Sequence, residues 1–161
     1  MRSPIATGRS LLVAAGILSA GVAALHVAII FVGPSAYRYF GAGERMARLA
    51  ERGSSEPTSI TAVLVLLFAS WAAYAFSGAG LIRPLPRLQT LLLLIGLLYA
   101  GRGLAVLPQA YLRLSGGEAA VPFRHLAFSL SSLLIGMTYL VGTFRASTSA
   151  DAAAPGRGPA G

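Results

Sequence analysis

Two histidines, His26 and His125, and one arginine, Arg102, stand in apolar surroundings where titratable or charged side chains are rare. Each suggests a chemistry. A pair of imidazoles can ligate haem iron or contribute to a zinc site. A guanidinium among apolar neighbours can hold an anion, and a serine beside a histidine, Ser129 or Ser132 beside His125, is the beginning of a nucleophilic site. The sequence completes none of these sets. Zinc needs more ligands than two histidines, and no cysteine exists to supply them. Haem is opposed by depth, because His26 lies about six residues, or 9 Å, inside its apolar run while His125 stands at the edge of its own. Missing cysteine also removes disulfides and thiol redox chemistry. The expectation is a protein with no metal, no cofactor and no enzymatic activity.

Arg102 is the sharpest of the three residues. It sits between Gly101 and Gly103 within an apolar run, and a charge inside a membrane span is a functional candidate by default. Its anchoring alternative is that it lies about five residues, roughly 7.5 Å, from the run's end, a distance an arginine can snorkel. In an up-down bundle, His26, Arg102 and His125 share one half of the bilayer. Tyr99 lies one turn before Arg102, and Tyr37, Arg38 and Glu44 stand above, with Glu44 able to reach down and pair with Arg102. These seven residues form the candidate polar layer or ligand-binding set.

The elements that must position them are set by composition. The chain has 161 residues, of which 55% are hydrophobic and 11% charged, and a mean hydropathy of +0.70. A soluble domain carries about 25% charged residues, so the expected solvent is lipid. The net charge of +8 is spread over loops and termini rather than gathered in a patch, which argues for residues flanking spans and against nucleic acid. Every basic residue is arginine, and alanine and glycine abound, as in GC-rich bacterial coding.

Four apolar runs, 10–32, 58–80, 88–107 and 125–143, each reach the roughly 20 residues that a helix needs to cross a bilayer. The expected fold is all-α: an integral membrane four-helix bundle of up-down topology, one domain over 1–145, followed by a disordered tail over 146–161. A signal peptide is the rival for the first run, but the apolar stretch continues well beyond the length of a signal core. Arg83 to Arg87, with Pro84 and Pro86, reads as a tight link, and Pro108 to Arg124 as a loop turning at Gly116 and Gly117. Small and polar residues recur every three or four positions: Gly16, Ser19, Ala23 and His26; Ser70, Ala73, Ser77 and Gly80; Tyr99, Arg102, Val106 and Gln109; Ser129, Ser132, Gly136 and Tyr139. Such stripes are the packing seams of membrane helices, and they leave Leu, Val and Ile facing lipid. Arginines on the two sides of the membrane tie in number. Arg9, Arg83, Arg87 and Arg145 lie closest to spans and incline both termini to the cytoplasm.

The one long charged passage, GPSAYRYFGAGERMARLAERGSSEP, begins where Gly33 and Pro34 end the first helix. Tyr37, Tyr39 and Phe40 read as headgroup-level aromatic anchors, and Gly41 to Gly43 as a turn into a short helix, Glu44 to Arg52. On that helix Arg45, Arg48 and Arg52 form one stripe and Met46 and Leu49 the adjoining one, the pattern of an interfacial amphipathic helix lying on the membrane.

The stretches AYRYFGAGERMARLAERGS, WAAYAFSGAGLI with its following LP, and YAGRGL resemble those of small uncharacterised bacterial membrane proteins with four predicted spans. The resemblance runs from about His26 to about Thr143. It implies an inner-membrane location and brings no activity with it. The functional expectation is a non-enzymatic bundle that binds a lipid headgroup or a partner membrane protein near Arg102, with room for a homo-oligomer. The alternative is a transporter or oligomeric pore for a small anionic or amphipathic molecule. Direct proton coupling is disfavoured, since no carboxylate lies within the spans.

Overall fold

Apolar runs of this length leave the backbone one economical solution, hydrogen bonding to itself as helix. The computed structural model describes residues 4–115 and 122–153, and these form α1 (Pro4–Val32), α2 (Pro34–Tyr39), α3 (Glu44–Glu51), α4 (Glu56–Gly78), α5 (Leu88–Gly103), α6 (Val106–Leu114) and α7 (Phe123–Ala153). The fold is an all-α helical bundle, with no strand among the described residues. Four stretches, Thr7–Val32, Glu56–Gly78, Leu88–Leu114 and Phe123–Ser147, are long and apolar enough to cross a membrane, which fits a multi-pass membrane protein. Only 17% to 33% of their most apolar windows is buried within the protein. Ile17, Val63, Leu66, Leu97 and Leu134 are exposed, as the sequence pattern predicts for lipid-facing positions.

The chain divides into two compact units, Met1–Ala15 with Tyr74–Gly161, and Gly16–Ala73. In the first, glycines set the approach of α5 to α7. A Cβ on Gly136 would lie 2.5 Å from the Ala100 nitrogen and 2.8 Å from the Gly96 oxygen, and one on Gly96 would lie 2.8 Å from Leu140 Cδ2. Gly103 faces the Leu133 backbone in the same way. The paired numbers rise on one helix as they fall on the other, so the helices are antiparallel. Tyr99 and Tyr139, both buried, stack between them with ring centroids 5.9 Å apart. The expected seam on the last helix is the observed one: Ser129, Gly136 and Tyr139 are buried and Ser132 half-buried. On α1, Gly16, Ser19 and Ala23 are likewise buried and His26 half-buried.

Elsewhere the observed pattern departs from expectation for identifiable reasons. On α4 the buried alanines are Ala72 and Ala75, with Ala79 buried just beyond its end, whereas Ser70 is exposed and returns its hydroxyl to Leu67 O at 2.7 Å. Ser77 is buried, yet it staples the following link: its Oγ donates to Arg83 O and accepts from Leu85 N, each at 3.0 Å. On α5 the buried positions are Leu92, Ile95, Gly96, Tyr99 and Gly103, with Arg102 exposed beside them. The segment read as a loop from Pro108 resumes instead as α6. Pro108 has no N–H and its ring would collide with the carbonyl of Leu104, so the chain turns at Leu104 and Ala105, where Leu107 N donates to Leu104 O at 3.0 Å, and then restarts. The expected turn at Gly116 and Gly117 lies outside the described residues. Residues 146–153, assigned to a disordered tail, continue α7, because alanine favours helix and the first proline in this stretch is Pro155; 154–161 lie outside the described residues.

Helix α4 ends in a Schellman motif. Gly80, at φ 70°, allows Gly80 N to reach Ser77 O and Leu81 N to reach Phe76 O, both at 2.9 Å. Arg9 Nε donates to Ala79 O at 2.9 Å, placing a cation where the helix dipole is negative.

Candidate functional site

In the first unit, two residues two helical turns apart converge on one hydroxyl. Arg102 Nη1 donates to Ser129 Oγ at 3.0 Å, and Ser129 Oγ donates to Gln109 Oε1 at 2.9 Å. The break before Pro108 leaves Gln109 on α6, and the glycine seam holds α7 close enough for Ser129 to take both. Ser129 is buried and its proton is given to an amide oxygen, which has no useful basicity. Arg102 remains exposed, forms no ion pair with a described carboxylate, and has used one of its five N–H donors. Tyr99 lies a turn below, buried against Tyr139, and His125 a turn before Ser129, half-buried.

In the second unit, the charged passage folds into a clasp. Gly33, at φ 76°, turns the chain and Pro34 opens α2. Arg38 grips Glu44 with two parallel bonds, Nε to Oε2 at 2.9 Å and Nη2 to Oε1 at 3.0 Å, and reaches Glu51 Oε1 with Nη1 at 2.7 Å. Arg48 adds a 3.3 Å bond to Glu44 Oε1, and Arg45 pairs with Glu56 at 3.0 Å. The hydrogen bonds from Arg38 are the leading cause holding both the Glu44 and Glu51 carboxyls below the usual carboxylate range. The same bonds raise the Arg38 guanidinium. The expected pairing of Glu44 with Arg102 gives way to these local partners. A carboxylate six residues from Arg38, at the first position of a helix, is reached with far less ordering than a distant one.

The short helix forms as read, Glu44–Glu51 capped by Arg52, but its apolar side serves its own unit. Ala47 is fully buried, and Met46 and Ala50 pack with it against Ile29, Ala36, Tyr37 and Phe40. Tyr37 is therefore a core residue, 2% exposed, rather than an interfacial anchor, while Tyr39 is exposed. Met46 turns inward rather than toward the membrane. Arg45, Arg48 and Arg52 share a shallow cleft with Leu49, so that face is basic with one apolar member.

Beneath the α2–α3 turn lies a pocket of about 420 Å³ lined by His26, Tyr37, Thr61, Ile29, Phe40, Met46, Ile60 and Leu64, with the Gly41–Ala42 backbone. His26 Nδ1 is 2.8 Å from Val22 O, and its ring packs on Phe68 at 4.9 Å, which in turn meets Trp71 edge-on at 5.1 Å.

Of the seven residues read from the sequence as one layer, Arg38, Glu44, His26 and Tyr37 lie in the second unit and Tyr99, Arg102 and His125 in the first; within the second, Arg38 pairs with Glu44, and His26 and Tyr37 line one pocket. Glu51 and Thr61 were missed. Glu51 follows Glu44 by seven positions, two turns along the same face, and that spacing was the available signal. No group of three or more His, Cys, Asp or Glu able to hold a metal ion occurs among the described residues. Comparison with protein-family models, with curated proteins and with solved structures gives no match.

Proposed function

We propose that this chain is a multi-pass protein of the bacterial inner membrane, with both termini in the cytoplasm, that acts without catalysis by holding an anionic lipid headgroup at Arg102. The carrying observation is the state of that guanidinium. It is exposed in the last turn of an apolar helix, one N–H fixed on Ser129, with no carboxylate partner among the described residues. A cation left so in hydrocarbon is costly, and a phosphate answers it with paired, charge-assisted hydrogen bonds. The Ser129–Gln109 relay supports this reading because it orients the guanidinium before a ligand arrives, and it speaks against a serine nucleophile. The all-arginine composition and the resemblance to small bacterial four-span proteins support the location. The arginines close to span ends support the sidedness.

The test is native mass spectrometry of the protein released gently from its own membranes, wild type against Arg102→Gln, with thermal unfolding confirming that both are folded. A phospholipid retained by wild type and lost from the variant is the expected result. Equal retention, or retention of a partner protein with no lipid, overturns the assignment.

A further inference from the structure

The pocket lined by His26 and Tyr37 belongs to the second unit, and its chemistry goes beyond the anionic-lipid reading. At about 420 Å³ it falls within the roughly 300–1,000 Å³ of small-molecule sites. No charged side chain lines it. Its polar groups can be assigned proton by proton. The Val22 carbonyl only accepts, so His26 Nδ1, 2.8 Å away, carries a hydrogen, and the tautomer with that single ring proton leaves Nε2 as an acceptor. Thr61 gives its single proton to Pro57 O at 2.7 Å. The Tyr37 hydroxyl, 3.5 Å from Thr61 Oγ1, is beyond good hydrogen-bonding distance. Thr61 Oγ1, whose own proton is on Pro57 O, is the acceptor within reach, so the Tyr37 proton is held only by a long, weak bond, although the residue is 2% exposed. A buried hydroxyl in that state is expensive. Its side chains thus bring an acceptor on His26 and a weakly used donor on Tyr37, beside Thr61 and the Gly41–Ala42 segment, into a mostly apolar wall.

We infer that this pocket binds an uncharged lipid alcohol, an apolar molecule whose head is a single free hydroxyl. The ligand O–H donates to His26 Nε2, and its oxygen accepts from the Tyr37 O–H. Ile29, Phe40, Met46 and Leu64 cover the apolar part. Ile60 lines the pocket and is also 44% exposed, so a chain longer than the pocket leaves past it along the apolar surface of α4. A carboxylate or phosphate finds no cation in the lining. An ether satisfies Tyr37 but leaves Nε2 without a proton, and a hydrocarbon satisfies neither.

Trp71, the only tryptophan of the chain, is linked to His26 through Phe68 and reports occupancy. The experiment titrates full-length protein in detergent with 1-hexadecanol, 1-methoxyhexadecane, hexadecane and hexadecanoate, following Trp71 emission. Saturable binding is expected in the order alcohol, ether, hydrocarbon, with each lost hydrogen bond costing about 3- to 10-fold in affinity. His26→Phe should reduce the alcohol to the level of the ether, and Tyr37→Phe should weaken alcohol and ether together. Equal affinities across the series in wild type overturn the assignment, as does tightest binding of hexadecanoate. Unchanged selectivity in a folded His26→Phe protein does so too. The wild-type series stands without either variant.

Discussion

Arg38 shows how one side chain can organise a segment that composition alone assigns to a surface. Its guanidinium holds Glu44 and Glu51, the first and last residues of α3, and so fixes α3 against the end of α2. Both carboxyls titrate below their ordinary range because Arg38 bonds their charged form. A lowered carboxyl contributes stability that is fully present above the ordinary carboxylate pKa and is lost as pH falls through the lowered value. Backbone hydrogen exchange over residues 38–53, corrected for intrinsic rate, should therefore be faster in Arg38→Gln than in wild type at pH 7. The difference should close as pH falls below about 4; a gap that is constant from neutral to acid pH would remove the clasp's role. The sequence marked Arg38 and Glu44 as polar and located their neighbourhood, but not their partnership. Charges of both signs crowd this passage, and which ones meet depends on the turn at Gly41 to Gly43, whose left-handed backbone angles are only suggested by glycine itself. Ser129 was legible as a small polar residue on a seam. That it would bridge Arg102 and Gln109 was not, since this needs the interhelical distance.

The helices owe their packing to where side chains are missing. Gly136 and Gly101 lie on facing elements of one unit, yet they predict opposite responses to the same methyl group. At Gly136 it would press on the Ala100 and Gly96 backbones, which cannot move without parting α5 from α7. Gly136→Ala should lower stability by about 1–3 kcal/mol. Nothing lies within 4 Å of a Cβ on Gly101, so Gly101→Ala should be neutral or gain about 0.5–1 kcal/mol from the stiffer backbone. Thermal unfolding of both variants in one detergent decides it, and comparable losses would contradict the close approach. Seams were readable in α1 and α7, where small residues are spaced regularly and few alternatives compete. On α4 alanine occurs on several faces, and the serines that seemed to mark the seam instead bond backbone carbonyls, Ser70 within its own helix and Ser77 in the link beyond it.

At the scale of the molecule, an even number of crossings would put both termini on the same side, and the proposed side is the cytoplasm. A green fluorescent protein fused after Gly161 should fluoresce in intact bacteria, while an alkaline phosphatase fused at that point should stay inactive; the reverse pair would invert the topology. The class and the four apolar stretches were legible because lipid demands length and hydropathy before anything else. Ends and breaks were less so, as Pro108 shows: it was read as the close of a helix when it marks a joint within a longer apolar stretch. That joint bears on the bilayer itself. The 27 residues from Leu88 to Leu114 would rise about 40 Å as one straight rod, beyond the roughly 30 Å of a hydrocarbon core. A rigid rod of that length has to tilt or thicken the lipid around it. A rod jointed after Gly103 instead bends at Leu104 and Ala105, and because Gln109 accepts from Ser129 the shorter arm, like the longer one, stays against α7, so the stretch is shorter end to end than its residue count implies.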